Sequence, residues 1–174
     1  MWNGVGEAEA KEKWGEREIR RVGDYLMVAS PSLALGKTIY ENDNEGLPYY
    51  LYNFLMVNLG TVLLQSVVRE KRPTGDSNRS FPSGHASSAF SGATYVHFRY
   101  SAWEARWLYI MASFVAFSRV YAECHYFHDV LASAGLSLIS SYFIVKNKNS
   151  GIKTYEIGYN PGRGELFLAF NWIF

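Results

Sequence analysis

Residues 47–68 read LPYYLYNFLMVNLGTVLLQSVV, 22 residues without a charge. A run of that length crosses the hydrocarbon core of a bilayer once as a helix. How it is read decides between a soluble domain and a membrane bundle. Downstream, 130–145 (VLASAGLSLISSYFIV) is a shorter uncharged run rich in Ser, Ala and Gly, residues that let membrane helices approach closely. Tyr25–Gly36, Ala86–Phe98 and Trp107–Ser118 are uncharged for only 12 or 13 residues each, lengths that equally suit buried helices of a soluble bundle. The pattern predicts an all-α helical bundle, transmembrane, with its core over 22–146.

Composition bounds what such a bundle does. A chain of 174 residues forms one domain, 1–174, large enough for a single core. Seventeen Lys and Arg against sixteen Asp and Glu give a net charge of +1, without the basic excess that nucleic-acid binding needs. An aromatic fraction of 17% beside a charged fraction of 19%, below the usual quarter, suits contact with lipid; the mean hydropathy of −0.12 pulls toward a soluble protein. Cys124 is the single cysteine, so no internal disulfide forms and the redox compartment is left open. No secretory signal is visible. Residues 1–21 are charged and amphipathic and predict a surface or interfacial helix outside the core. After the break at KNKNSG, the tail 147–174 alternates around NPGRG, which predicts a short C-terminal β-hairpin. NPGRGE lacks the strand-then-helix context of a phosphate loop.

Two stretches carry the chemistry. Residues 69–88, REKRPTGDSNRSFPSGHASS, join the long apolar run to the next helix. Ser83 is placed to cap that helix, His85 falls in its first turn, and the N–H groups near Gly84 face outward with the positive end of the helix dipole behind them. With Arg72 they make an anion pocket. Residues 118–130, SRVYAECHYFHDV, hold the rest. On a helix His125 and Asp129 differ by about 40° and share a face, so Asp129 is expected to hold one ring nitrogen of His125 while the other meets substrate. Arg119 supplies a bidentate grip on phosphoryl oxygens. His128 points away from this set and is assigned a peripheral role, and Cys124 a packed one. A metal site of His125, His128 and Asp129 is the rival reading, but it leaves RP and PSGH without a use, so no metal and no cofactor are expected.

RP at 72–73, PSGH at 82–85, and SR at 118–119 followed by His125 and Asp129 resemble the three signature motifs of the type-2 phosphatidic acid phosphatase family. The resemblance runs from about Gly23 to Val145. It implies an α-helical core and a metal-independent phosphatase acting on a lipid phosphomonoester or pyrophosphate, with a phospholipid or lipid A-type substrate as in compact bacterial lipid A 1-phosphatases. It further implies His125 as the nucleophile that forms a phosphohistidine, Asp129 as its support and His85 as general acid and base. Arg72, Arg119, Ser83 and Gly84 would bind the phosphate. Soluble periplasmic acid phosphatases and vanadate-dependent haloperoxidases share the motifs and are the alternatives; no protein partner is implied. The sequence departs at Gln65, where the family carries a Lys seven residues before the Arg. Arg69, about 60° from Arg72 on an extended helical wheel, is expected to replace that Lys. If four helices cross, both motif loops lie on one side, and the Lys and Arg of RYSAWEAR and KNKNSGIK mark the other as cytoplasmic. The expected place is a bacterial inner membrane with the site facing the periplasm.

Overall fold

The computed structural model describes residues 14–146 and the strands Ile152–Asn160 and Glu165–Trp172. Five helices follow in order: α1 (Trp14–Tyr40), α2 (Gly46–Val68), α3 (Gly84–Arg99), α4 (Ala102–Tyr121) and α5 (Phe127–Ile144). They run alternately up and down. Asp43, in the turn between α1 and α2, ion-pairs with Arg99 at the end of α3 and accepts from Tyr100 Oη at 3.1 Å. Lys37 of α1 pairs with Glu104 of α4 at this same end. At the other end meet the start of α1, the α2–α3 connection and the α4–α5 connection, so both motif loops share one end of the bundle.

The bundle is built around α3, which packs against each of the other four helices. Its buried face is small and hydroxylic: Ala86, Ser87, Ala89, Ser91, Gly92, Ala93 and Thr94. Small residues bring the axes together, and their polar atoms are matched across helices. Ser30 Oγ of α1 donates to the Ala89 carbonyl at 2.7 Å, Asn53 Nδ2 of α2 to the Ser91 carbonyl at 3.1 Å, and Ser141 Oγ of α5 to Thr94 Oγ1 at 2.7 Å. A Cβ on Gly92 would lie 2.8 Å from the Ser30 carbonyl oxygen and from Pro31 Cα, so the α1–α3 crossing requires glycine.

The outside has the opposite character. Leu55, Leu59, Leu63 and Val67 of α2, Trp107 and Ile110 of α4, and Leu131, Ile139 and Phe143 of α5 are all exposed. The helices α2 and α5 are long and apolar enough to cross a membrane, and only 17% and 28% of their apolar windows are buried inside the bundle. A hydroxyl-rich interior within an apolar exterior reverses the soluble pattern.

One expectation about the termini changes. Residues 14–21 do not form a separate interfacial helix; they are the first turns of the 27-residue α1, whose later turns enter the core at Ser30, Ala34 and Thr38. Residues 1–13 of the expected N-terminal helix lie outside the described residues. In the tail, Ile152–Asn160 pairs antiparallel with Glu165–Trp172, with a register irregularity between Ile152 and Tyr155; the turn between the strands lies outside the described residues.

Candidate active site

At the motif end of the bundle is a cavity of about 260 Å³ lined by Arg20, Asp24, Arg72, His85, Arg119, Cys124 and His125. Each side chain reaches it through a local rule. Ser83, in extended conformation, caps α3 through its side chain, at 3.5 Å from the Ala86 N–H. That fixes the first turn of α3 and places His85 at the cavity rim. The last turn of α4 carries Arg119; the helix then stops because Glu123 is left-handed, at φ 52°, and the Cys124 and His125 N–H groups both turn back to the Arg119 carbonyl, at 2.9 and 3.2 Å. Arg72 is held by its own loop, its N–H donating to the Ser77 carbonyl at 2.9 Å. The Phe81–Pro82 peptide is cis.

His125 is buried and is held chiefly by a carbonyl. Its Nδ1 lies 2.9 Å from the Ser80 carbonyl oxygen and 3.5 Å from Asp129 Oδ2. The carbonyl can only accept, so Nδ1 carries the proton and the lone pair sits on Nε2. Asp129, wholly buried, supports the arrangement from behind: its Oδ2 accepts from Ser80 Oγ at 2.6 Å and from the Tyr126 N–H at 2.9 Å. The expected Asp129–His125 pairing is present at 3.5 Å, but as the longer of two contacts, with the Ser80 carbonyl nearer. The reason is local: His125 precedes α5, whose cap is Tyr126, so it does not share a helix with Asp129. Burial, with the Arg72 charge, holds the His125 imidazole below its ordinary 6.5 against the opposing pull of Ser80 and Asp129. At neutral pH the ring is neutral.

His85 is half-buried. Desolvation and the Arg119 charge, with smaller contributions from His125 and Arg72, push it down to about 4, and Asp24 opposes them. Asp24 Oδ1 lies 3.2 Å from His85 Nε2 and 2.8 Å from Arg119 Nη2. Arg119 is nearly sealed off; its Nη2 also donates to the Arg20 carbonyl at 2.7 Å and its Nε to Ser118 Oγ at 3.2 Å. Arg72 contrasts with it: its Nε is buried with no hydrogen-bond partner among the described residues, and its Nη1 is 4.0 Å from Asp76. A guanidinium Nε left unmatched at the wall of a cavity is free to donate to an anion there.

Of the residues singled out in the sequence, His85, His125, Arg72 and Arg119 meet at the cavity, with Asp129 one layer behind. Ser83 is fully buried as a cap, and neither it nor Gly84 is among the lining residues. Arg69 is not brought in: it is exposed, its Nε donates to the Ser66 carbonyl at 3.1 Å, and it forms the left-handed C-cap of α2 at φ 51°. The angular argument that favoured it assumed a helix continuing to Arg72, and α2 ends at Val68. Gln65, in the place of the absent Lys, donates from Nε2 to the Pro82 carbonyl at 2.9 Å and so holds the PSGH turn. His128 is exposed and bonded to Glu70 at 3.0 Å, away from the lining set. The groups that come within metal-binding distance of one another are Glu70, His128 and Asp129, not the His125, His128, Asp129 set weighed from sequence.

Sequence reasoning missed Arg20, Asp24, Ser80 and the cavity position of Cys124. For the first two a signal existed: Arg20 and Asp24 are four apart, on one helical face, with Gly23 between them. A Cβ on Gly23 would lie 2.1 Å from Ser118 Oγ and 2.8 Å from Arg119 Nη2, so glycine is what lets α1 press against the SR motif.

The chain resembles known proteins in sequence and in fold. Over 71 residues the chain is 38% identical to a lipid A 1-phosphatase of Porphyromonas gingivalis, an alignment that spans 39% of this chain and 16% of that protein. The fold superposes on the crystal structure of Aquifex aeolicus LpxE with a TM-score of 0.54 and 20% identity, over 75% of this chain and 93% of that one. A sequence model of the PAP2 superfamily matches residues 31–150. That stretch contains RP, PSGH and the SR–His–Asp set that the bundle gathers at one end, and the chain belongs to the PAP2 superfamily.

Proposed function

We propose that the protein is a metal-independent lipid phosphatase that works through a phosphohistidine. One observation carries the reading: His125 presents a neutral ring, proton-bearing on the Nδ1 side, to a cavity walled by Arg20, Arg72 and Arg119 with His85 at its edge. The His125 Nε2 lone pair attacks phosphorus as the bond to the leaving oxygen breaks in line, and His85 gives that oxygen its proton. The unmatched Arg72 Nε and the Arg119 guanidinium, both at the cavity wall, meet the charge that gathers on the equatorial oxygens. In the second half His85 takes a proton from water, the water oxygen bonds to phosphorus, and the N–P electrons return to Nε2. Ser80 and Asp129 stabilise the imidazolium in both halves.

The surroundings support a lipid substrate. The cavity lies at the end of helices whose outer faces are apolar, so a phosphate attached to an acyl or isoprenoid chain reaches it with the chain still in the membrane. A lipid A-type phosphate, phosphatidic acid, phosphatidylglycerophosphate and undecaprenyl pyrophosphate all satisfy this geometry; the Porphyromonas gingivalis relative favours the first. The bundle sits in a bacterial inner membrane; among the described residues Arg17, Arg20, Arg21, Arg69, Lys71, Arg72, Arg79 and Arg119 lie at the cavity end against Lys37, Arg99, Arg106 and Lys146 at the other, so the expected periplasmic orientation of the cavity does not follow from the Lys and Arg count. Phosphate release from these four lipids in detergent, with and without chelator, tests the proposal. Turnover that persists in excess EDTA and is blocked by vanadate is the expected result. Loss of activity in EDTA that zinc or magnesium restores would refute the mechanism.

A further inference from the structure

The first half of α1 lies outside residues 31–150, the stretch matched by the superfamily, yet it reaches the centre of the site. Two independent features put it there. Gly23 removes the side chain that would collide with Ser118 and Arg119, and the Arg20 carbonyl accepts from Arg119 Nη2 at 2.7 Å. The helix then delivers Asp24 between two groups of the site, with Oδ1 3.2 Å from His85 Nε2 and 2.8 Å from Arg119 Nη2.

The charges around His85 explain why a carboxylate belongs there. Facing the ring are Arg20 and Asp24 from α1, Arg72 from the α2–α3 connection, Arg119 from α4, and Cys124 and His125 from the α4–α5 connection. Among these described lining residues Asp24 is the one carboxylate. Partial burial and the neighbouring cations strip the proton from an imidazole, whereas a general acid needs that proton when the leaving oxygen departs.

We propose that Asp24 is a positioning residue for the general acid, orienting His85 through Nε2 and favouring its protonated form. The proposal rests on the phosphatase reading above in one respect, the role of His85 as acid. On this proposal the removal of Asp24 acts through the protonation of His85, and the loss depends on how much the leaving group needs a proton. Phosphatidic acid loses an alkoxide that requires protonation; p-nitrophenyl phosphate loses a phenolate that departs without it.

The test compares Asp24→Asn and Asp24→Glu with the wild type on both substrates, alongside His85→Ala. For Asp24→Asn, kcat on phosphatidic acid is expected to fall on the order of tenfold or more, a fraction of the ~10²–10⁴ that an acid group supplies. On p-nitrophenyl phosphate kcat falls far less, and KM changes little on either. The alkaline limb of the phosphatidic acid kcat profile moves down by roughly one pH unit, and Asp24→Glu restores part of both effects. Equal losses on the two substrates with an unmoved alkaline limb would overturn the proposal and leave Asp24 as a packing residue. A gain in turnover with tighter vanadate binding would also overturn it, since the carboxylate would then merely fill the empty anion site. An active wild type with an unimpaired His85→Ala would defeat the phosphatase mechanism itself. The Asp24 contact is then judged separately by NMR titration of the His85 ring, whose midpoint falls in Asp24→Asn if the proposal holds and stays put if it does not.

Discussion

On the proposed mechanism His125→Ala removes the nucleophile and is expected to abolish phosphate release, while His128→Ala, which alters an exposed imidazole paired with Glu70, keeps most of it. Single-turnover assays of the two variants make the comparison. In that mechanism Arg72 serves His125 as well as phosphate: its charge helps to hold the imidazole below 6.5. A base with a depressed pKa stays neutral as the pH falls, so the acid limb of kcat/KM lies below 6.5. Arg72→Ala removes one depressing charge, moves that limb upward, and costs on the order of 2–4 kcal/mol of transition-state stabilisation, comparable to losing one oxyanion donor. Arg69→Ala is expected to behave as the wild type, because its side chain is committed to the Ser66 carbonyl at the helix end. A loss in Arg69→Ala as large as that in Arg72→Ala would mean that Arg69 swings into the cavity when substrate is bound.

At the level of elements, the site depends on how closely α1 and α3 are allowed to lie. Gly92→Ala puts a methyl group 2.8 Å from backbone atoms of Ser30 and Pro31, which no rotamer change relieves. The expected cost is about 1–3 kcal/mol of stability, read as a lower thermal midpoint in detergent, with kcat per folded molecule retained. Gly23→Ala is expected to differ in kind. Its methyl group meets Ser118 Oγ and Arg119 Nη2, side-chain atoms of the site itself, so activity per folded molecule falls along with stability. If both variants lose stability alone, the α1–α4 contact at Gly23 has no part in arranging Arg119.

For the molecule as a whole, the alternation of the helices places Asp76, in the α2–α3 connection, and Asn44, in the turn between α1 and α2, at opposite ends. Both are exposed. In a Cys124→Ser background, single cysteines at these two positions are expected to react with an impermeant thiol reagent from opposite sides of the membrane. Labelling of both from one side would rule out a spanning bundle. The interior hydroxyl network bears on the same question: Asn53, Thr61, Ser87, Ser133, Ser137 and Ser141 are all buried, and bonds among them tie α2, α3 and α5 together. Such bonds suit packing in lipid, where apolar side chains gain nothing by turning inward.

The five helices and the motif residues were legible in the chain because both signals are local. An uncharged run such as 47–68 identifies its helix without reference to any other, and RP, PSGH and SR–His–Asp are fixed by short spacings. Statements that needed geometry across a chain break were not legible. The angle from Gln65 to Arg72 lost its meaning where Arg69 turns left-handed, and the angle from His125 to Asp129 where Tyr126 interrupts the helix. Nor does local sequence say which carbonyl will face His125: Ser80 is forty-five residues away and comes near only because α3 and α5 begin at the same end of the bundle. Arg20 and Asp24 look like solvated charges on an amphipathic segment until α1 crosses α4 at Gly23. The sequence by itself determined which side chains were available for the chemistry. The tertiary structure decided which of them meet, because the charge and orientation of an imidazole are set by whatever packing brings within a few ångströms of it.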